Sequence, residues 1–370
     1  MMKKIKLMLL APSLRGGGSE RVMLNLIQNF DRRVLDLYFV LVKKEGPYEK
    51  EIPNDVQVFD LNCRRTLKAW RSLIKCIDVI KPDVILSTAS QLNILLLMIK
   101  PLIPKKIKII IREGSIPSEN IQSNRILWRY LYRKYYNQAD VIICQSSFMK
   151  KDLLDNFKID REKVKQIYNP VNFENINMLI KGKKNPYLNY NNNLQCINIL
   201  TVGRLSSEKG HRELIKSIPL LKMKRSNVNL FILGEGPLKN ELFSLVRELN
   251  LEDCVHFVGF QENPFVWMKY GDLFILPSKY EGLPNVLLEA IACQVPVIVT
   301  NHPGGTKEIM EITQQAHRII DEFTWDDWWF EKPTKKTYEI LEENFNILKI
   351  VNKYESLILE LFEVRKNGKN

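Results

Sequence analysis

The sequence has little of what marks most specialised protein classes. Only four His and six scattered Cys occur in 370 residues, and no two Cys form a C-x-x-C pair. Zinc-ribbon, thioredoxin-like and disulfide-framework designs are thereby excluded, and isolated thiols suit a reducing compartment. There is no D-x-D and no H-x-x-x-H spacing, so no metal is expected. No apolar run approaches the ~20 residues that a membrane helix needs. The longest, Leu92 to Ile99, is interrupted by Asn93 and stopped by Lys100-Pro101. The basic, apolar N-terminus reads as a first strand, because its apolar run is short and no small-residue cleavage site follows. What remains, 45% hydrophobic and 26% charged residues, describes a globular chain long enough for about two cores.

Charge is present but unevenly placed. Residues 1–180 hold 31 Lys and Arg against 18 Asp and Glu, and residues 181–370 hold 24 of each sign. The whole excess of +13 therefore belongs to the first half, which points to an anionic partner there. Two segments concentrate it: Ile99 to Lys108, and Arg125 to Tyr136 (RILWRYLYRKYY). In the second, aromatic and apolar side chains alternate with Arg and Lys at helical intervals. An interfacial helix on an anionic membrane reads this way, and so does a solvated helix with inward Tyr and Trp. A nucleic-acid partner is not expected, since no helix-turn-helix, RNP or zinc-finger pattern accompanies the charge.

Strand-length apolar runs alternate with helical patterns almost throughout, predicting parallel βαβ units. Seven such strands are predicted between Ile5 and Ile167 and five between Ile197 and Val299. Between them, Asn172 to Gln195 is rich in Asn and Lys and reads as a polar linker. Beyond Pro303 the pattern becomes helical and irregular. Doubly wound sheets bind ligands at the carboxyl ends of their strands.

Four strand-to-helix turns carry chemistry. Arg15-Gly16-Gly17-Gly18-Ser19-Glu20 opens a helix after the first strand, where glycines admit a ligand and free N–H groups attract phosphate. It lacks the G-x-G-x-x-G spacing of a dinucleotide site, and Lys43-Lys44 stand where a ribose-binding acid belongs. Gly203 to Gly210 (GRLSSEKG) is not a Walker loop but sets two cations, Arg204 and Lys209, after a strand. Glu281 to Glu289 (EGLPNVLLE) starts a helix at Pro284, with carboxylates at Glu281 and Glu289 able to accept from vicinal hydroxyls. His302 to Glu308 (HPGGTKE) is a further Gly-bearing turn. Taken singly, each is also readable as a solvated loop.

The ordered set GGGSE, GRLSSEKG, LGEGP (Leu233–Pro237), FVGF (Phe257–Phe260), PSKYEGLPNVLLEA and PVIVTNHPGG resembles the retaining glycosyltransferases of family 4 over about residues 4–309. The resemblance implies the α/β GT-B fold, two Rossmann-like doubly wound domains facing across a cleft. Residues 1–172 would form the acceptor-binding domain, 173–195 a linker and 196–310 the nucleotide-sugar domain. Residues 311–370 would form a helical segment packing back on the first domain. Glu281, Arg204 and Lys209 are implied as catalytic, the cations meeting the charge of the leaving diphosphate. Gly17, Gly18, Glu235, Phe260, Gly282, Leu283, Asn285, Val286 and Glu289 are implied as donor-binding. Two departures stand out. The turn after the fifth strand reads Arg112-Glu113-Gly114-Ser115 where many relatives carry His, making Arg112 and Glu113 acceptor-side candidates. After Glu308 the usual Gly-x-x-G-x-Leu-Val is absent.

The function this implies is metal-independent, retaining transfer of a hexose or N-acetylhexosamine from a UDP-sugar. The acceptor would be a lipid-linked glycan in surface polysaccharide synthesis. The expected location is cytoplasmic, peripheral on the inner face of the cell membrane, with no cofactor beyond the nucleotide-sugar donor. Two alternatives stay open: a catalytically weak sugar-nucleotide-binding regulator, and a GDP-mannose-dependent transferase.

Overall fold

The computed structural model describes residues 4–121, 124–190 and 196–367. The chain divides into two compact units, residues 1–170 with 347–370, and residues 171–346.

In the first unit, strands β1 (Ile5–Ala11), β2 (Leu35–Leu41), β3 (Gln57–Asp60), β4 (Val84–Thr88), β5 (Lys108–Arg112), β6 (Val141–Cys144) and β7 (Val164–Gln166) form one parallel sheet. Helices α1 (Gly18–Asn29), α2 (Trp70–Ile80), α3 (Ser90–Met98), α4 (Pro117–Asn120), α5 (Arg125–Tyr135) and α6 (Ser147–Phe157) connect them. The sheet order is β3-β2-β1-β4-β5-β6-β7, so the direction of winding reverses between β1 and β4. Strands such as β4 are buried at every position, as they must be when helices cover both faces of a parallel sheet.

In the second unit, strands β8 (Ile197–Val202), β9 (Val228–Leu233), β10 (Val255–Gly259), β11 (Leu273–Leu276), β12 (Val297–Thr300) and β13 (Ile319–Ile320) are again all parallel, in the order β10-β9-β8-β11-β12-β13. Helices α7 (Phe173–Ile180), α8 (His211–Lys224), α9 (Lys239–Glu248), α10 (Pro264–Tyr270), α11 (Asn285–Ala292), α12 (Thr306–Ile312) and α13 (Lys335–Phe345) belong to this unit, with α7 against α10 and α13 against α11. Its winding reverses between β8 and β11.

Two segments differ from the sequence reading. The stretch 173–195 is not a linker throughout: α7 and a helical turn at Pro186–Asn189 belong to the second unit. Its polar composition hides three anchors, the buried side chains of Phe173, Ile176 and Tyr187. The Tyr187 hydroxyl donates to the Trp267 carbonyl at 2.8 Å, and its ring stands edge-on to Phe231 and Trp267. Residues 191–195 of the expected linker lie outside the described residues. The segment 311–370 also splits. Residues up to Asn346 stay with the second unit, where Trp325 and Trp329 enter the core beside Ile320, and the buried Arg318 donates to the carbonyls of Trp329 and Glu331. That tryptophan core is what the irregular sequence after Glu308 builds. The last helix, α14 (Ile347–Asn367), returns to the first unit. There Ile350, Val351, Tyr354 and Ile358 share a core with Val22 and Leu26 of α1, and the Asp31 amide donates to Glu355 Oε1 at 2.6 Å. Each such fully buried aliphatic side chain contributes about 1.5–3 kcal/mol.

Candidate active site

In an open α/β sheet the carboxyl ends of the strands flanking the winding reversal leave a crevice, because their helices depart to opposite faces. In the second unit those strands are β8 and β11, and the residues that follow them meet there. Lys209 Nζ donates to Glu281 Oε1 at 2.6 Å, and Ser278 Oγ donates to the same oxygen at 2.7 Å. The pair is largely shielded, with side-chain exposures of 24% and 11%. Arg204, five residues before Lys209, is exposed and makes no ion pair with the described residues.

The loop that carries both cations is held by backbone. Leu205 N–H donates to Glu235 O, Leu238 N–H to Leu205 O, and Lys279 N–H to Glu208 O. Gly210 ends it at φ 67°, and a Cβ there would lie 1.8 Å from the Pro277 carbonyl oxygen, so only glycine lets this loop nest against the end of β11. Next to it, His211 is 2% exposed, and burial, aided by Lys209, pushes its imidazole down to about 4. It is neutral at physiological pH. The third and fourth motifs are also joined: Glu281 N–H donates to Pro303 O, and Gly305 N–H to Glu281 O and Gly282 O. His302 contacts Thr306 Oγ1 at 2.8 Å on the same turn. Helix α11 starts one residue later than the sequence suggested, with Pro284 as its N-cap and Asn285 as its first helical residue. Asn285, Val286 and Glu289 are half-buried on its first turns, whereas Gly282 and Leu283 are buried. Glu235 pairs with Lys239 at 2.9 Å and lies against Gly259, beside the partly exposed Phe260.

The first unit departs from expectation at the glycine turn. The Glu20 carboxylate closes back on it, accepting from Gly16 N–H at 2.8 Å, Gly17 N–H at 3.0 Å and Ser13 Oγ at 2.9 Å. Burial pushes this carboxyl up against the opposing effect of those donors. The Gly17 amide is therefore engaged within the chain, and Gly18 opens α1. Arg112 is also turned inward, 1% exposed and bonded to Asn169 Oδ1 and to Thr88 Oγ1. Glu113 instead lines a pocket of about 470 Å³ at the ends of β1, β4 and β5, with Ser19, Ser90, Trp128 and Tyr132. The sequence reading assigned no contact to the side chains of Ser278, Glu20 and His211. The spacing Ser278-x-x-Glu281 and the N3 position of Glu20 after Gly17 were the available signals.

Residues 189–328 match the model of glycosyl transferases group 1, and residues 16–175 that of glycosyltransferase family 4. A Campylobacter jejuni protein named as an N-acetylgalactosamine-N,N'-diacetylbacillosaminyl-diphospho-undecaprenol 4-alpha-N-acetylgalactosaminyltransferase is 30% identical over 320 residues, 80% of this chain and 81% of its own. This chain is a family 4 glycosyltransferase. The fold of the glycosyltransferase is shared with an Anabaena protein, HepE, solved with UDP and glucose (TM-score 0.79, 18% identity, 96% of this chain and 100% of that one). It is shared equally with sucrose-phosphate synthase of Thermosynechococcus elongatus (TM-score 0.77, 17% identity, 98% and 100%). No helix among its described residues is long and apolar enough to cross a membrane.

Proposed function

We propose that this glycosyltransferase moves a hexose or N-acetylhexosamine from a UDP-sugar to a lipid-linked glycan, with retention of configuration and without a metal. The observation that carries the reading is the shielded Lys209–Glu281 pair at the winding reversal of the second unit, 2.6 Å apart. Breaking a sugar–diphosphate bond builds negative charge on the departing phosphate, and cations fixed beforehand lower that barrier most. Lys209 and Arg204 supply two such charges from one clamped loop. In this reading Glu281 accepts from hydroxyls of the transferred sugar, while Glu289 accepts from ribose hydroxyls. Glu235 and Phe260 flank the base. UDP is favoured over GDP because the Anabaena structure contains UDP and glucose. A lipid-linked acceptor is favoured because the Campylobacter relative's name specifies a diphospho-undecaprenol carrier.

The same acceptor gives a role to α5. Ile126, Leu127 and Tyr130 are exposed at 88%, 51% and 54%. Arg129 and Arg133 reach only the Asn156 carbonyl, and no ion pair engages either among the described residues. Such a helix suits peripheral attachment to an anionic membrane. The other basic segment, Ile99 to Lys108, contributes less than its sequence suggested, because Lys100 and Lys108 are both held by Asp140, leaving Lys105 and Lys106 exposed. Incubation with a panel of UDP-sugars and a polyprenyl-diphosphate-linked sugar in EDTA tests the reading. UDP release coupled to a new glycan supports it, and release from GDP-mannose alone replaces UDP by GDP in the account.

A further inference from the structure

The pocket of the first unit is built around a buried carboxylate. Glu113 is 0% exposed, and both of its oxygens are filled. Ser90 Oγ donates to Oε1 at 2.6 Å and Gly114 N–H at 3.1 Å, while the Tyr132 hydroxyl donates to Oε2 at 3.1 Å and the Tyr136 hydroxyl donates to it as well. Burial pushes this carboxyl up, and the three hydroxyls and the Gly114 amide oppose that shift by stabilising the charged form, with no cation among the described residues taking part. Their arrangement is specified by the backbone: Ala89 holds φ 78° with ψ 128°, a costly conformation for a residue with a Cβ, and it sets Ser90 against Glu113. Gly114 lacks the Cβ that would meet Ser19 Oγ at 2.5 Å, which lets the β5 turn close on α1.

The consequence is the polarity of the pocket. A hydroxyl has one proton, and those of Ser90 and Tyr132 are committed to Glu113. What these two wall residues retain for a ligand is lone pairs. Trp128 adds an aromatic face, and no Lys, Arg or His is among the described residues that line the pocket. An anion entering it would lose water, find no cation among the described lining residues and face a wall of lone pairs backed by the Glu113 carboxyl. A neutral ring bearing hydroxyl donors and an apolar face meets every one of these groups.

We propose that this pocket binds a neutral sugar residue and rejects anionic ones, with Glu113 as the positioning residue that fixes Ser90 and Tyr132 as acceptors for the sugar's hydroxyl protons. The proposal rests on the glycosyl-transfer reading and names the chemistry of the acceptor's sugar. The test is saturation-transfer NMR and calorimetry on the full chain, using methyl glycosides of neutral hexoses and N-acetylhexosamines, each beside its uronic-acid counterpart. At least one neutral glycoside binds, with its uronate about tenfold weaker or worse. Glu113→Gln, which brings N–H donors into the wall, weakens the neutral glycoside about five- to tenfold and narrows its margin over the uronate. Ser90→Ala and Trp128→Ala each weaken it without narrowing that margin. Uronates binding as well as neutral sugars overturn the proposal. So does a failure of every neutral glycoside to bind, or a margin unmoved in Glu113→Gln protein of native thermal stability. UDP titrated into the same samples separates the two readings, because loss of UDP binding bears on the donor site and leaves this pocket's result standing.

Discussion

The Glu20 carboxylate occupies the Gly17 amide at 3.0 Å, so the glycine turn that reads as a phosphate cradle is capped by its own helix. A Cβ on Gly17 would meet Glu20 only at ordinary contact distance, 3.7 Å. Gly17→Ala should therefore leave thermal stability and UDP affinity near wild type. Glu20→Ala should cost about 1 kcal/mol of stability through loss of the capping bonds. Calorimetric UDP titration and melting curves check both, and a tenfold affinity loss in Gly17→Ala would return the turn to the donor site.

Lys209 and Arg204 share a loop but differ in surroundings, and their substitutions should differ accordingly. Either Ala variant should lower the transfer rate by roughly 10²–10³-fold, about 3–4 kcal/mol. Lys209→Ala also leaves Glu281 without its cation and should lower the melting temperature, whereas Arg204→Ala, at an exposed residue outside any ion pair among the described residues, should not. Rates and melting curves on the same preparations separate these effects.

His211 links stability to pH. Its imidazole titrates at about 4 in the folded chain against 6.5 ordinarily, so the unfolded chain binds more protons between those values. The stability it contributes is complete above about pH 6.5 and is lost as pH falls toward 4, on the order of 3 kcal/mol across the window. Chemical denaturation from pH 7 to 4.5 should show a shallower decline in His211→Phe than in the native chain. Parallel curves would exclude His211 as the titrating group.

The alternating pattern revealed both sheets because a strand covered on two faces must be apolar at nearly every position, as in Val141–Cys144 and Val297–Thr300. Lys209 and Glu281 were grouped by the family resemblance of their motifs, and the structure joins them after β8 and β11, the strands that flank the winding reversal. What the sequence concealed were contacts made by side chains against local expectation. Tyr187 sits among Asn and Lys yet anchors the second core, and Arg112, one residue from a pocket-lining acid, turns into the interior. The two-residue strand β13 is too short to carry a period, and the Trp325–Trp329 cluster has no strand or helix rhythm to announce it. Glu113 was visible as an acid in a turn, but its cage comes from Tyr132 and Tyr136, one helical turn apart on or beside α5.

Attachment to membranes should follow α5. Flotation with anionic vesicles at low salt should retain the protein and weaken as ionic strength rises. Arg129 and Arg133 changed to Glu should abolish it, while Lys100→Gln and Lys108→Gln, already paired with Asp140, should change little. Binding indifferent to the arginine changes would remove α5 from the account.

The anomeric configuration of the product tests the central claim most directly. The wild-type chain should be incubated in EDTA with the UDP-sugar it accepts and a polyprenyl-diphosphate-linked acceptor, and the new linkage read by proton NMR. An α-linked product from an α-UDP-sugar, formed at a rate that falls at least about a hundredfold in Lys209→Ala, is the result expected of retention at the Lys209–Glu281 site. A β-linked product, or transfer undiminished in Lys209→Ala, would contradict it.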